Sequence, residues 1–388
     1  MSKIVCYPVP SYESDALQAA VERIFDACAC TKALSSDTRL LIKPNLLAKH
    51  APGAAVTTNP ALVRAVIVAA KKRGVQHIVL ADSPGGVYNE AIVRSIYAAS
   101  GLAAVCEEEG AELYTACKWH AKKASGALVH EWNWIEPVHS ADFIINLPKL
   151  KTHMMMGMSG AVKNLFGCIP GLQKAELHMR FPDAAHFGNM LVDLYEAVRP
   201  QLTIVDGVTG MEGDGPAGGV PRHVGYVLGG EDGYAIDLAI CHIIGMQPMS
   251  VPFLAAANAR GLCKAAFDSV DIDNAEANAC VPIADFALPS GRNGVDFSSN
   301  VPRFLRPLVK YAQRAAAPRP VIRRAKCIGC GKCADICPQN TILLANKKAK
   351  ILPKRCIKCF CCHEVCPVKA IGVRTVFQRK KAGKLCDR

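Results

Sequence analysis

Two cysteine-rich segments with the same spacing limit what the last part of this chain can fold into. CIGCGKCADICP at residues 327–338 and CIKCFCCHEVCP at residues 356–367 both have the form C-x2-C-x2-C-x3-C-P. An internal repeat of this kind predicts two similar halves packed into one small pseudo-symmetric unit. Cys361 breaks the repeat, because Lys332 occupies the equivalent position of the first copy.

The cysteine spacing is typical of iron–sulfur ligation. Three thiolates at this pitch can surround three corners of an iron–sulfur cube, and the fourth cysteine points towards the neighbouring cluster. We therefore predict two [4Fe–4S] clusters with crossed ligands. One cluster takes Cys327, Cys330, Cys333 and Cys366, and the other takes Cys356, Cys359, Cys362 and Cys337.

Two other metal chemistries fit parts of the same segments. A four-cysteine zinc site uses two C-x2-C pairs, although two complete four-cysteine motifs exceed what one zinc ion requires. Residues 359–363 also satisfy C-x-x-C-H, the attachment pattern of c-type haem, a chemistry that normally requires export. The spacing favours iron–sulfur clusters over both, with His363 and Cys361 then outside the ligand set.

The composition predicts a cytoplasmic protein. Nineteen cysteines in a cytosolic chain are interpreted as metal ligands or buried thiols, because the thiol pool of that compartment keeps disulfides reduced. No uncharged apolar run reaches the length of about eighteen residues that a membrane span needs. The sequence MSKIVCYPVPSYES lacks the charged and apolar regions of a secretory signal.

The basic excess lies late in the chain. The formal net charge is +13, and residues 303–326 contain eight Lys or Arg and no acidic residue. We expect a solvated basic linker over residues 301–326 or a docking surface for an acidic redox partner, since complementary charge speeds encounter. Three prolines and the lack of a recognition-helix or base-stacking pattern argue against nucleic acid.

Residues 1–300 alternate short apolar strands with amphipathic helices, which predicts an α/β domain with a mostly parallel sheet. TRLLIKPNLL, VQHIVLAD, ADFIINLPKL and QLTIVDG are the clearest strands. TTNPALVRAVIVAAKKRG predicts a helix with a polar N-cap, an early proline and a terminal Gly74. We predict that a basic linker (301–326), a two-cluster domain (327–373) and a basic tail (374–388) follow the α/β domain.

Polar residues follow several predicted strands, where ligands collect in open α/β sheets. The candidates are Lys43, Asn45, Asp82, Lys149, Lys151, His153, Lys163, Asn164, Asp206 and Glu212. Lysines near glycine-rich backbone favour a small anion such as a carboxylate or phosphate. Asp206, Glu212 and Asp214 could instead supply a divalent-ion site or a general base. No G-x-G-x-x-G fingerprint or P-loop is present, and solvated lysines and a turn-capping Asp206 are the structural alternatives.

Two resemblances extend this interpretation. The cysteine repeats resemble the bacterial two-cluster ferredoxins, which implies a βαββαβ fold, one-electron transfer at low potential and apolar packing around the clusters. That packing would come from Ile328, Ile336, Ile342, Ile351, Ile357, Val365 and Ile371. KPNLL, TNPALVRAV, ADSPGG, LPKLKTH, SGAVKNLFG, Gly171 with Lys174 and His178, DGVTGMEGDGP and AIDLA resemble the domain of unknown function 362 family. This second resemblance supports one site formed by Lys149, Lys151, His153, Lys163 and Asn164.

These features lead to three functional hypotheses. In the first, an iron–sulfur oxidoreductase passes electrons to or from an anionic substrate or cofactor. Lys149, Lys151 and Lys163 bind the anion, and His153 donates a proton because histidine titrates near neutrality. In the second, the protein only carries electrons and docks on a partner enzyme. The third is a metal- or nucleotide-dependent isomerase with structural clusters, because GMSGAVKNLFGCIPG is similar to a stretch of the lactate racemase family, which uses a nickel-pincer nucleotide.

Overall fold

Strands and helices alternate along most of the described chain, which comprises residues 2–274, 280–290, 319–353 and 355–374 of a computed structural model. Residues 301–318 of the predicted linker and 375–388 of the predicted tail lie outside this range. The strands within it are β1 Ser2–Pro8, β2 Arg39–Pro44, β3 His77–Leu80, β4 Glu112–Leu113, β5 Trp119–Lys123, β6 Glu131–Ile135, β7 Phe143–Leu147, β8 Lys149–His153, β9 Gly157–Ser159, β10 Leu202–Glu212, β11 Val220–Gly230, β12 Val270–Asn274, β13 Arg319–Ile322, β14 Ile342–Ala345, β15 Lys348–Ile351 and β16 Ile371–Arg374.

The helices have the capping residues that the sequence predicts. In the second one, Asn59 accepts a hydrogen bond from the Ala61 N–H, Pro60 is the first residue, and Gly74 follows the end with a φ of 86°. The α-helices of the described residues are α1 Asp15–Ala27, α2 Pro60–Lys72, α3 Glu90–Ala99, α4 Leu102–Glu108, α5 Glu136–Ser140, α6 Ala161–Asn164, α7 Gln173–Arg180, α8 Ala184–Val198, α9 Gly233–Ile243, α10 Pro252–Ala259, α11 Lys332–Asp335 and α12 Cys361–Glu364.

Within the described residues, a ten-stranded sheet forms the centre of the large domain in the order β12-β1-β11-β10-β7-β2-β3-β4, with β8 joining β10 and β9. Most neighbouring strands are parallel, which confirms the predicted fold class. The exceptions are β11, which is antiparallel to both β1 and β10, and β9, which is antiparallel to β8.

Both faces of this sheet are buried by helices, because successive side chains of a strand point to opposite sides. In β2, Leu41 packs into the cluster formed with α8, α9 and α10, whereas Leu40 and Ile42 pack into the cluster formed with α1 and α2. The parallel strands β2, β3 and β7 all end at the same edge of the sheet. This edge brings the polar loops after those strands together.

The cysteine repeats belong to a separate small unit. Its elements follow the order β13, α11, β14, β15, α12 and β16, which is the predicted βαββαβ arrangement. β13 pairs with β16, and β14 pairs with β15, both antiparallel. Residues 319–322, which the sequence analysis assigned to the linker, are therefore strand β13 of this unit.

Candidate functional site

The structure brings the eight cysteines of the repeats together in two sets, each lining one cavity. One cavity is lined by Cys327, Cys330, Cys333 and Cys366. A second cavity is lined by Cys356, Cys359, Cys362 and Cys337. Each set therefore combines three cysteines of one repeat with the fourth cysteine of the other, which is the grouping that crossed ligation requires.

The surroundings of these sulfurs fit an iron–sulfur group. The backbone N–H of Thr341 donates to Cys337 Sγ at 3.3 Å, and that of Ala370 donates to Cys366 Sγ at the equivalent position of the second repeat, at 3.2 Å. Such donors stabilise thiolates. In the described parts of the chain, no three His, Cys, Asp or Glu side chains converge closely enough to bind a single metal ion.

Cys361 is neither a cavity-lining residue nor a surface thiol. It is buried, and its thiol donates a hydrogen bond to the sulfur of Cys359. The residue before it, Phe360, has a φ of 63°, and Gly331 has a φ of 82° at the equivalent position of the first repeat. The two loops thus share a backbone conformation although only one of them has glycine there.

Four of the predicted site residues form two ion pairs inside the protein. Lys149 Nζ lies 2.9 Å from Asp206 Oδ2 and 2.7 Å from the hydroxyl of Tyr12, which itself donates to Asp206 Oδ1. Lys43 Nζ lies 2.8 Å from Asp82 Oδ1. All four charged groups are almost completely buried, so these pairs connect strand ends and leave Lys149 and Lys43 without a free charge for a ligand.

The two asparagines predicted for the site form a hydrogen-bonded chain with Lys151. Lys151 Nζ donates to Asn45 Oδ1 at 2.7 Å, and Asn45 Nδ2 donates to Asn164 Oδ1 at 2.7 Å. Burial, reinforced by the charge of Lys163, lowers the pKa of Lys151 to about 7. Its amine can therefore gain or lose a proton near neutrality.

Lys163 acts electrostatically on both Lys151 and Lys174, and we refer to these three residues as the lysine cluster. Its charge contributes to lowering the pKa of both neighbours, and burial lowers the pKa of Lys174 to about 7. The amine of Lys163 contacts the ring of Phe166 at 5.7 Å from the centroid. Among the described residues it has no hydrogen-bond acceptor within reach. Burial lowers its own pKa, an effect that Glu364 and Cys361 oppose.

His153 connects the large domain to the second cysteine repeat. Its Nε2 lies 3.2 Å from Glu364 Oε1, and its Nδ1 accepts hydrogen bonds from the N–H groups of Met155 and Met156. Burial and the charge of Lys163 lower the pKa of His153 to about 3. The imidazole is therefore neutral at physiological pH, which differs from the predicted proton donor that titrates near neutrality.

Other contacts hold the second repeat on the glycine-rich loops of the large domain. The His363 ring lies so close to Gly218 that a Cβ built there would be 2.4 Å from its Nε2. Lys369 Nζ donates to the carbonyl of Gly219 at 3.1 Å, and Val365 contacts Gly85. The glycine-rich loop GDGPAGG at residues 213–219 thus contributes to an interface between the two parts of the chain.

The two remaining acidic candidates have structural partners. Glu212 accepts a hydrogen bond from the Ala287 N–H, and Asp214 accepts two from Ser290. With Asp206 already bound to Tyr12 and Lys149, these carboxylates do not converge on one point. The predicted divalent-ion site is therefore not formed by the residues that the structure describes.

Sequence reasoning missed the residue that positions Lys163. Asp237 of α9 is buried and accepts hydrogen bonds from the Ala161 and Val162 N–H groups, which begin helix α6. A Cβ at Gly160 would lie 1.8 Å from Asp237 Oδ1, so only glycine allows this approach. A single acid inside the apolar stretch YAIDLAICHIIG is the signal that could have identified it.

Comparisons with known proteins agree with this division of the chain. The sequence pattern of domain of unknown function 362 matches residues 40–242, and that of a 4Fe-4S dicluster domain matches residues 326–383. The chain is 34% identical over 254 residues to Thylakoid-associated protein sll1697 of Synechocystis sp., a match that covers 65% of this chain and 77% of the relative. None of the helices in the described parts has the length and apolar character needed to cross a lipid bilayer.

Two solved structures are weakly similar to this chain. The lactate racemase apoprotein from Thermoanaerobacterium thermosaccharolyticum gives a TM-score of 0.39 at 14% identity, covering 62% of this chain and 56% of that one. A protein from Thermotoga maritima gives a TM-score of 0.35 at 11% identity, covering 58% and 57%. The chain thus spans less than two thirds of either protein. From the family matches and the curated relative, the chain belongs to the DUF362 family and carries a 4Fe–4S dicluster domain.

Proposed function

We propose that two [4Fe–4S] clusters in this protein exchange electrons with an anionic compound that binds at the lysine cluster, between the α/β domain and the second cysteine repeat. The observation that carries this proposal is the contact of His153 with Glu364, beside Lys163 and Cys361. It puts the second repeat against the polar strand ends of the large domain.

The eight cysteines would hold the two clusters in the crossed arrangement described above. When bound, such clusters accept and release single electrons at potentials set by burial and by hydrogen bonds to their sulfurs. The N–H groups of Thr341 and Ala370 and the thiol of Cys361 would provide those hydrogen bonds.

The balance of buried charge supports an anionic ligand. Lys43 and Lys149 are neutralised by Asp82 and Asp206, whereas no carboxylate of the described residues lies within ion-pair distance of the three amines of the lysine cluster. Glu364 acts on Lys151 and Lys163 from further away and is already hydrogen-bonded to His153, and Asp82 acts on Lys151 and Lys174. Buried cations without counter-charges are costly, so a carboxylate or phosphate at Lys163 would restore the balance. In this proposal Lys163 binds the anion, and Lys151 replaces His153 as the group that holds a proton near neutrality.

The test is anaerobic purification of the full chain, with iron, nickel, zinc and acid-labile sulfide quantified before and after reduction by dithionite. We expect iron and sulfide in equal amounts, and a change in the electron paramagnetic resonance spectrum when carboxylate or phosphate compounds are added. Lys163→Ala should abolish that change, and Lys122→Ala, on exposed strand β5, should retain it.

Two results would contradict the proposal. Colourless protein without sulfide would show that the chain binds no iron–sulfur cluster. Clusters that respond to no anion would favour the second hypothesis, in which the chain only carries electrons for a partner enzyme. Nickel in the purified protein would support the isomerase hypothesis instead.

A further inference from the structure

The two cysteine repeats have the same backbone but opposite environments. In the second repeat, Cys361 and His363 are buried against the large domain and Glu364 contacts His153. At the equivalent positions of the first repeat, Lys332 and Asp335 are exposed to solvent. The second repeat therefore contacts the α/β domain, whereas the equivalent side of the first repeat is open to solvent. We refer to the cavity lined by Cys327, Cys330 and Cys333 of the first repeat as the outer cavity.

Large apolar side chains are exposed around this outer cavity. Ile328 lines this cavity and is 60% exposed. Leu344 of β14 is 49% exposed. The loop and the strand adjoin, since a Cβ at Gly331 would lie 3.5 Å from Leu344 Cδ1. Exposed Cys330 lies within the same loop. Together these residues form one apolar surface over a cavity-lining cysteine.

Basic residues surround this surface. Residues 319–353 contain eight Lys or Arg and a single acid, Asp335. Lys332 follows the cysteine loop and Lys347 lies at the β14–β15 turn, and both are exposed. The carbonyl of Lys347 also approaches Gly329 closely. An apolar centre with a charged rim is the usual composition of a transient protein interface.

We propose that this surface, formed by Ile328, Cys330, Leu344, Lys332 and Lys347 and named the first-repeat face, docks an acidic one-electron carrier protein. The inference rests on the proposed presence of clusters and adds the route of electron flow. The reduced carrier would be oxidised by one electron, which would pass to the first cavity's cluster, then to the second cluster, and then reduce the ligand at the lysine cluster. Opposite charge on the carrier would accelerate encounter.

The test measures how fast a reduced, negatively charged flavodoxin reduces the full-length protein, by anaerobic stopped-flow absorbance. The double variant Lys332→Glu and Lys347→Glu should lower the second-order rate constant roughly tenfold or more at low salt, and the difference should shrink as salt is added. Leu344→Ser should lower the rate at all salt concentrations, because it removes apolar contact area.

The matched control is Lys122→Glu with Lys123→Glu, which makes the same change in net charge on exposed strand β5 of the large domain. It should leave the rate within about twofold of the wild type. Equal rates for the first-repeat variant and wild type, or equal losses in both double variants, would overturn the inference. Iron content and dithionite reduction, measured on each variant, separate this outcome from cluster loss, and a wild type without clusters would overturn the proposed function as well.

Discussion

His153 and Glu364 are 211 positions apart in the chain, and their side chains form a hydrogen bond of 3.2 Å. Because Nδ1 of His153 accepts two backbone N–H groups, its proton lies on Nε2 and is donated to the carboxylate. Burial alone would raise the pKa of Glu364, but His153 and Lys163 bring it to about 2. The bond therefore joins a neutral imidazole to a carboxylate at physiological pH, and it links the two parts of the chain.

Replacing Glu364 with alanine should weaken this link. The Nε2–H of buried His153 would lose its acceptor, which costs about 1–3 kcal/mol. We expect a lower unfolding temperature and faster hydrogen exchange in the glycine-rich loop at residues 213–219. Asp335→Ala, at the exposed equivalent position, should change the free energy of unfolding by less than about 0.5 kcal/mol. Equal effects of the two variants would contradict the role of Glu364.

Single cysteine replacements should remove the iron and sulfide of one cavity at a time. Cys356→Ser should remove about half of the iron and sulfide, Cys330→Ser should remove the other half, and the double variant should contain neither. Cys361→Ala should retain all of it, because that thiol donates to Cys359 but does not line a cavity. The measurements are iron and acid-labile sulfide per chain. A loss of iron in Cys361→Ala would show that Cys361 is a ligand.

Lys163→Met should shift the potential of one cluster only. A positive charge beside Cys361 stabilises the reduced form, so its removal should change the reduction equilibrium about tenfold, equivalent to a fall of about 59 mV for one electron. A redox titration followed by electron paramagnetic resonance measures both midpoints. Lys122→Met should move neither midpoint, and an unchanged pair of midpoints in Lys163→Met would contradict the proximity of Lys163 to the second cavity.

Anion binding should weaken as the pH rises. The pKa values of Lys151 and Lys174 are lowered from 10.5 to about 7, so both amines are largely charged at pH 6 and neutral at pH 8.5. Without a ligand, these shifts make the folded state more stable as pH rises from 7 towards 10.5, because the unfolded chain then binds more protons. An anion binds preferentially to the charged amines, so its affinity falls as the pH rises and the amines lose their protons.

Calorimetry can measure how the affinity for an anion depends on pH, and sulfate is a suitable anion because it does not titrate in this range. We expect affinity to fall roughly tenfold or more between pH 6 and pH 8.5, with proton uptake on binding. Lys151→Met should flatten the profile. An affinity that is independent of pH in the wild type would exclude these amines from the anion site.

Asp237→Ala should destabilise the start of helix α6. Two buried N–H groups, of Ala161 and Val162, would lose their acceptors, so we expect a loss of about 2–4 kcal/mol in the free energy of unfolding. Asp26→Ala, which removes the exposed partner of Arg73, should cost about 1 kcal/mol or less. Denaturant unfolding of both variants gives the comparison, and equal losses would contradict the positioning role.

Much of the candidate site could be predicted, because residues after parallel strands meet at one sheet edge whatever their roles. Lys43, Asn45, Lys149 and Lys151 do lie in one hydrogen-bonded region. Their roles could not be predicted. Whether an amine is free or neutralised depends on a partner far along the chain, as Asp206 is for Lys149, and local sequence carries no information about that partner.

The sequence by itself determined the cysteine grouping and the alternating α/β pattern, since short loops and strand periodicity act over a few residues. Only the tertiary structure decided which repeat faces the large domain, which lysines keep an unpaired charge, and that His153 is neutral. These properties follow from burial and from charges brought together by folding. Burial lowers the pKa of a histidine whose sequence neighbours alone would leave it near its usual value.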